Sequence, residues 1–121
     1  MTPTEIIFAD CKRNGVDPNI MAQYVAGMIQ EKKGVLLSAN NSLLLITFLG
    51  DDTAELHLFT ADTPLTLMKS LTEFINDIKQ SELKRVYGDS DNEEILNLLR
   101  RLGIDVMESD REGFNWMANV R

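Results

Sequence analysis

Apolar residues recur at helical spacing in two segments near the N-terminus. Thr2 and Glu5 form the pattern of a capping box, which predicts a first helix over Pro3–Arg13. Asn14–Gly15 ends it, because both residues tolerate the left-handed conformation of a helix end. The second segment, Asp17–Gly34, begins with another cap and proline and predicts a second amphipathic helix. Its apolar stripe consists of Ile20, Met21, Tyr24, Val25, Met28 and Ile29.

The apolar pattern then shortens to runs of strand length. Val35–Leu37, Leu43–Leu49 and Ala54–Thr60 are apolar segments separated by the turn signals Asn40–Asn41 and Gly50–Asp52. Because the connections are tight turns, we expect the three strands to pair antiparallel in chain order.

Helical and strand patterns follow each other again in the second half of the chain. They predict a helix from Thr63-Pro64 to about Gln80, a strand over Leu83–Tyr87, a helix over Asn92–Leu102, and two strands over Ile104–Ser109 and Phe114–Val120. Turns at Gly88–Asp91 and Asp110–Gly113 separate these elements, and the second of them predicts a hairpin. Gly103 is the C-terminal cap of the last helix.

The element order is therefore α-α-β-β-β-α-β-α-β-β. It predicts an α/β (α+β) protein with a mixed sheet and helices on both faces. The strand Ala54–Thr60, the helix after it and the strand Leu83–Tyr87 form a crossover unit, whose two strands should be parallel. No repeat, low-complexity tract or long linker divides the chain, so we predict a single domain over residues 1–121.

Composition and charge narrow the classes of partner. The chain has 121 residues, of which 44% are hydrophobic, and a formal net charge of -7. These values predict a soluble globular protein, and an acidic chain repels nucleic acid and anionic membranes. A protein partner, a second copy of the chain or a small ligand remains. The charge is uneven, because residues 1–50 carry four acidic and four basic side chains and residues 51–121 carry the whole excess.

The chain has too few cysteine and histidine residues for a disulfide or a Cys/His metal site. Cys11 and His57 are single residues of their type, so neither an internal disulfide nor a Cys/His zinc site can form within the chain. Cys11 follows apolar residues in the first predicted helix and is interpreted as a buried, unreactive thiol. The N-terminus has no signal-peptide pattern, which predicts a cytoplasmic location.

One segment and the element order carry a resemblance to a known family. Asn92–Ile104 opens a helix with an Asn and closes it with Gly103 followed by an apolar residue. Together with the order of elements, this segment resembles the GNAT superfamily of N-acetyltransferases, from whose order only a first strand is missing here. The resemblance implies transfer of an acyl group from a coenzyme A (CoA) thioester to an amine.

The family's phosphate-binding loop is not reproduced. Family members bind the CoA pyrophosphate with a glycine-rich loop before the third helix, and the corresponding segment Thr60–Met68 contains no glycine. Asp62 stands at its mouth, Pro64 lacks an amide donor, and Thr63 is interpreted as the helix cap. By resemblance alone, the residues assigned to the cofactor are Thr60, Asp62, Thr63 and Asn92.

The family's general acid is missing as well. Many members use a Tyr in the fourth helix to protonate the departing thiolate, and that position falls on Leu99 here. Candidate catalytic residues are Glu55, His57 and Asp62 as a general base and Tyr87 as the nearest phenol, although His57 is interpreted first as a surface or satisfied histidine. The sequence therefore favours an inactive domain without a cofactor over an enzyme that uses acetyl-CoA.

Three functional hypotheses follow. A likeness to small GNAT-like proteins of tailed bacteriophages favours a non-catalytic binding or structural protein, virion-associated or host-interacting, located in the host cytoplasm or the virion. The alternative is an acyl-CoA-dependent N-acetyltransferase, and the second alternative, from charge only, is an acidic decoy that inhibits a host nucleic-acid-binding protein. Candidate interface residues for a protein partner or a homo-oligomer are Phe114, Trp116 and Met117, although core or hairpin packing is the preferred interpretation.

Overall fold

A computed structural model describes residues 1–90 and 92–120 of the chain. Its elements are α1 (Pro3–Asn14), α2 (Pro18–Gln30), β1 (Gly34–Ala39), β2 (Ser42–Gly50), β3 (Thr53–Thr60), α3 (Pro64–Gln80), β4 (Arg85–Gly88), α4 (Glu93–Arg101), β5 (Met107–Glu108) and β6 (Trp116–Asn119). This is the predicted order. Asp91, the last residue of the predicted turn after β4, lies outside the described residues.

Side-chain caps fix where the N-terminal helices begin. The Glu5 N–H donates to Thr2 Oγ1 (3.2 Å) and the Thr2 N–H donates to Glu5 Oε1 (2.9 Å), which confirms the capping box of α1. Asp17 caps α2 by accepting bonds from the first-turn amides. This helix ends at Gln30, earlier than predicted, because Lys32 adopts a left-handed conformation with φ of 57°.

The six strands form one mixed sheet in the order β1-β2-β3-β4-β6-β5. The antiparallel β1–β2–β3 meander and the parallel pairing of β3 with β4 are confirmed. β5 and β6 pair antiparallel as predicted, and β6 also pairs with β4, so that the last strand of the chain is internal in the sheet. The edge strands are therefore β1 and β5.

The last two strands are shorter than predicted. The residues before β5 use their backbone groups locally: the Ile104 N–H donates to Leu99 O (3.0 Å) and the Val106 N–H donates to Ile104 O (3.1 Å). In the connection to β6, the Phe114 N–H donates to Arg111 O (3.4 Å). Backbone groups that are bonded within a loop cannot extend a ladder.

Apolar residues cover both faces of the sheet, as predicted. On one face α1 and α2 pack against the buried cluster Ile6, Ile7, Cys11, Val25, Leu43, Leu45 and Phe59. On the other face α3 and α4 pack against a second cluster that includes Leu44, Ile46, Ala54, Val86 and Ala118. Burial raises the pKa of the Cys11 thiol. Among the described residues, no helix has the length and apolarity that a membrane span requires.

Candidate functional site

β3 is paired along its whole length on one edge and along only part of it on the other. Its register with β4 runs from Thr53↔Arg85 to Glu55↔Tyr87, and the described chain places no strand beside Leu56–Thr60 on this edge. The two parallel strands therefore separate after three pairs.

The backbone of the open edge points into this separation. The Thr60 N–H donates to Asp10 Oδ1 (3.1 Å) on the open side, whereas the Ala61 N–H donates to Asn41 O (2.9 Å) on the side of β2. Because backbone groups of a strand alternate between its two edges, the N–H and C=O of Leu58 also face the open side. An extended ligand with amide groups can bond to such an edge.

A cleft of about 510 Å³ lies at this separation. Its walls come from the end of α1, from β3, from α3, from the first turns of α4 and from Trp116 of β6. The volume falls within the usual range for a small-molecule site.

Two of the predicted catalytic candidates, Glu55 and His57, lie together on the cleft-facing part of β3. The His57 ring stacks on Phe59 with ring centroids 4.4 Å apart. Burial lowers the pKa of His57, and the charge of Asp10 opposes this effect only in part. His57 is therefore neutral at pH 7.

The pKa of Glu55 is shifted in the opposite direction from that of His57. Burial raises the pKa of Glu55, and repulsion from the Asp89 carboxylate raises it further. Its carboxylate is thus a stronger base than an exposed one. The described lining of the cleft contains the carboxylates of Asp10, Glu55 and Asp89 and one positively charged side chain, Arg13, an arrangement that attracts a cation.

Asp10 is a site residue that the sequence predictions missed. Its buried carboxylate accepts bonds from Arg13 Nη2 (2.7 Å), Asn14 Nδ2 (3.2 Å) and the Thr60 N–H (3.1 Å), so it ties α1 to the open edge of β3. The signal was present in the sequence, because Asp10 occupies the same helical stripe as the buried residues Ile6 and Cys11.

Tyr87, the candidate phenol, lies outside the cleft lining. Its hydroxyl donates to Asp110 Oδ1 (3.0 Å), and its ring packs against Phe114 with centroids 5.4 Å apart. The Arg111 guanidinium lies 5.5 Å from the ring centroid. These contacts attach the β5–β6 connection to the sheet.

Thr60 and Asp62 belong to a polar network instead of the cleft. The Ser42 hydroxyl lies 2.7 Å from Thr60 Oγ1, and the Asp62 carboxylate accepts bonds from the Asn41 N–H (3.1 Å) and from Ser70 Oγ (2.9 Å). The Asp62 carboxylate is therefore turned toward the β1–β2 turn. Its predicted place at the mouth of a phosphate site stays a prediction.

Thr63 precedes α3 but does not cap it, which corrects the interpretation from the sequence. Its side chain makes no cap hydrogen bond, and its hydroxyl donates instead to Thr66 Oγ1 (3.2 Å). No acidic residue lies in the first turn of α3. The N-terminus of α3 therefore carries the partial positive charge of the helix dipole, and the Thr63 side chain does not bond to its free N–H groups.

Asn92 and Leu99 of the α4 region both line the cleft. Asn92 is the N-cap of α4, and its Oδ1 accepts a bond from the Glu94 N–H (3.1 Å). Leu99, the residue at which the resemblance predicts a Tyr, is thus part of the cleft wall.

The three candidate interface residues lie in different surroundings. Trp116 is 7% exposed and lines the cleft, which agrees with the preferred core interpretation. Phe114 packs on Tyr87, and Met117 pairs with Tyr87 across β4 and β6. A protein interface at these residues stays a prediction.

Comparison with known proteins shows the fold. A scan against protein-family models finds no match, and a search of curated proteins finds none. Among solved structures, the chain is similar to the Campylobacter jejuni N-acetyltransferase PseH in complex with acetyl coenzyme A, with 12% identity, a TM-score of 0.62, and coverage of 98% of this chain and 91% of that chain. It is also similar to Tetrahymena GCN5, with 9% identity, a TM-score of 0.62, and coverage of 96% and 84%. A third, Brucella melitensis ribosomal-protein-alanine N-acetyltransferase, has 13% identity, a TM-score of 0.56, and coverage of 86% and 75%.

These similarities confirm the GNAT-like fold and correct the first functional hypothesis. The prediction of a non-catalytic binding or structural protein is wrong, because these neighbours are acetyltransferases and one was solved with acetyl coenzyme A bound. The sequence-based preference against an enzyme relied on the missing glycine loop and on Leu99, and the comparisons favour the alternative of an N-acetyltransferase.

Proposed function

We propose that the protein is an acyl-CoA-dependent N-acyltransferase that acetylates an amine. The observation that carries the proposal is the separation of β3 from β4 after Glu55↔Tyr87, which opens a cleft beside the bases of β3. A fold similar to that of acetyltransferases supports it.

The open edge of β3 suits the acyl donor. CoA carries its thioester on a chain with two amide groups, and the backbone of Leu58 on the open edge offers a donor and an acceptor to such a chain. The uncapped start of α3 offers N–H groups to its phosphates, and the inward turn of Asp62 removes one negative charge from their path. No glycine is needed for this purpose if the first helical turn alone supplies the donors.

The acids of the cleft suit the acceptor. An amine enters as an ammonium ion, which the carboxylates of Glu55 and Asp89 attract. Because its pKa is raised, Glu55 is the better general base of the two acids beside the opening. His57, neutral at pH 7, contacts the acceptor from the same face of β3.

The reaction then balances without a general acid from the protein. Glu55 removes one proton from the ammonium, and the free amine attacks the thioester carbonyl carbon. As the new C–N bond forms, the C–S bond breaks and the second proton of the amine passes to the departing thiolate. Thiols are acidic enough for a thiolate to leave without prior protonation, as the cysteine side-chain pKa of about 8.5 illustrates. A Tyr at the position of Leu99 would therefore assist the reaction but is not required for it.

Binding of acetyl-CoA and charge-matched variants test the proposal. Acetyl-CoA at about 100 times its Kd should stabilise the folded protein by about 2.7 kcal/mol in a thermal-shift experiment. Glu55→Gln should keep this stabilisation and lower kcat about 100-fold or more with a polyamine acceptor. Glu73→Gln, an exposed charge-matched change on α3, is the control and should retain both. An unchanged melting temperature with millimolar acetyl-CoA would contradict the proposal.

Two predictions from the sequence are carried with this proposal: a bacteriophage source, and a homo-oligomer or protein partner that docks at the C-terminal strands. β5 is the edge strand beside Trp116–Asn119, and its outer backbone groups are the ones that a partner strand would use.

A further inference from the structure

The buried indole of Trp116 has an unsatisfied hydrogen-bond donor. Trp116 is the single Trp of the chain and is 7% exposed. Within residues 1–90 and 92–120, its Nε1 is the one buried side-chain nitrogen or oxygen without a hydrogen-bond partner. An indole N–H can only donate, and a buried donor without an acceptor is costly enough that native proteins rarely keep one.

The position of the ring explains why the protein offers it no acceptor. Trp116 pairs with Gly88 across β4 and β6, and a methyl group at position 88 would overlap the indole. The indole atoms around Nε1 therefore lie against Gly88 at the end of β4, where β3 and β4 separate. Its neighbours in the cleft wall on this face include Phe74, Leu96 and Leu99, whose side chains accept no hydrogen bond.

We propose that Trp116 is a positioning residue whose Nε1–H donates to a carbonyl oxygen of the acyl donor bound in the cleft. The inference rests on the proposed function and deepens it. A carbonyl is the acceptor that this apolar wall favours, because a charged acceptor would pay a larger desolvation penalty there. Nε1 has less than 1 Å² of accessible surface, so the proposed contact requires the indole to turn toward the cleft when the donor enters.

With this contact, Trp116 would hold the acyl donor in place, which is one of the two tasks of a Tyr in α4. It holds the carbonyl end of the donor beside Leu99, and it lacks the proton transfer that a phenol provides. The expected consequence is an effect on donor binding larger than the effect on the chemical step.

Nuclear magnetic resonance of uniformly 15N-labelled protein tests the contact directly. Because the chain has one Trp, the spectrum contains a single indole N–H cross-peak, and a new hydrogen bond to this group moves its proton downfield. Acetyl-CoA and CoA are the two probes. A shift with acetyl-CoA alone assigns the acceptor to the thioester carbonyl, and a shift with both assigns it to an amide carbonyl of the CoA chain.

The same titration separates this inference from the proposed function. If backbone cross-peaks of β3 move while the indole peak stays, the protein binds the donor and the role of Trp116 is wrong. If no cross-peak moves with either probe at millimolar concentration, the proposed function fails, and the role of Trp116 fails with it.

Replacement of the N–H provides a second readout. Benzothienylalanine, incorporated at the single Trp position, replaces the N–H with a sulfur atom at nearly the same shape, and Trp116→Phe removes the donor with a smaller ring. Each should raise the KM for acetyl-CoA about tenfold with a smaller change in kcat. Met107→Leu, a volume-conserving change on β5 outside the cleft lining, is the control and should leave KM unchanged. An isostere-containing protein with an unchanged KM would overturn the role even if the Phe variant failed to fold.

Discussion

The two edges of β3 differ in how far they are paired with a neighbouring strand. On the side of β2, the register runs from Thr53 to Thr60 with one irregularity near Gly50. On the side of β4, it stops at Glu55. All eight residues of β3 thus pair with β2 on one edge, whereas on the other edge the first three pair with β4 and Glu55–Phe59 line the cleft.

The difference shows how one strand can support both stability and binding. The paired edge places Phe59 and Leu43 opposite each other in a core that is closed to water. The open edge needs no residue of its own to recognise an amide chain, because backbone groups do so in any sequence. This explains how a chain with 9 to 13% identity to the acetyltransferases described above can keep their fold and a cleft.

The largest expected effect is on stability and comes from removing the buried side chain of Phe59 on β3. Phe59 is fully buried, so Phe59→Ala should lower the free energy of unfolding by about 3–5 kcal/mol in urea titrations. Phe48 on β2 is 48% exposed, and the matched change Phe48→Ala should cost about 1 kcal/mol. Similar losses for the two variants would contradict the burial of Phe59 in the core.

A smaller effect is expected at the open side. Gly88→Ala places a methyl group in the space that the Trp116 indole occupies, and such overpacking costs about 1–3 kcal/mol of stability. Because the ring must move, acetyl-CoA binding measured by calorimetry should weaken as well. Gly27→Ala in α2 meets no atom within 4 Å and should stabilise the protein by about 0.5–1 kcal/mol without a change in binding. A Gly88→Ala protein as stable as Gly27→Ala would contradict this packing.

The smallest effect is the pH dependence that His57 contributes to stability. Its folded pKa lies below the ordinary value of 6.5, so the unfolded chain binds the proton first as the pH falls. Well above pH 6.5, His57 is neutral in both the folded and the unfolded chain, so its protonation does not change the free energy of unfolding. As the pH falls from 6.5 toward the folded pKa, the unfolded chain binds the proton more readily and the folded protein loses stability. Melting temperatures between pH 7.5 and about pH 5 should therefore fall more steeply for the native protein than for His57→Gln. Parallel curves would show that His57 is not buried as described.

Much of the fold could be predicted because local signals set it. The cap residues Thr2 and Asp17, the turns between the meander strands and the alternation along β3 act within a few residues, and the sequence displays them directly. The insertion of β6 between β4 and β5 is not local. A hairpin signal at Asp110–Gly113 pairs the two strands but does not say which of them lies beside β4.

The candidate site was harder to predict for the same reason. Glu55, His57 and Asn92 could be named from their strand face or cap position, and they do line the cleft. The separation of β3 from β4 could not be foreseen, because the eight residues of β3 carry no mark of where pairing stops. The direction of the Asp62 carboxylate depends on Ser70 in another element, and the unsatisfied N–H of Trp116 depends on the absence of a side chain at Gly88.

The hydrogen bond from the Thr60 N–H to Asp10 also bears on whether a second chain can add a strand to the open edge of β3. An unpaired strand edge is a template on which a second chain can add a strand and begin an aggregate. A buried carboxylate fixed over the last amide of the open edge blocks one end of that template, because an incoming strand would have to displace a charge already held by Arg13. The Thr60 end of the open edge is thereby shielded from an added strand.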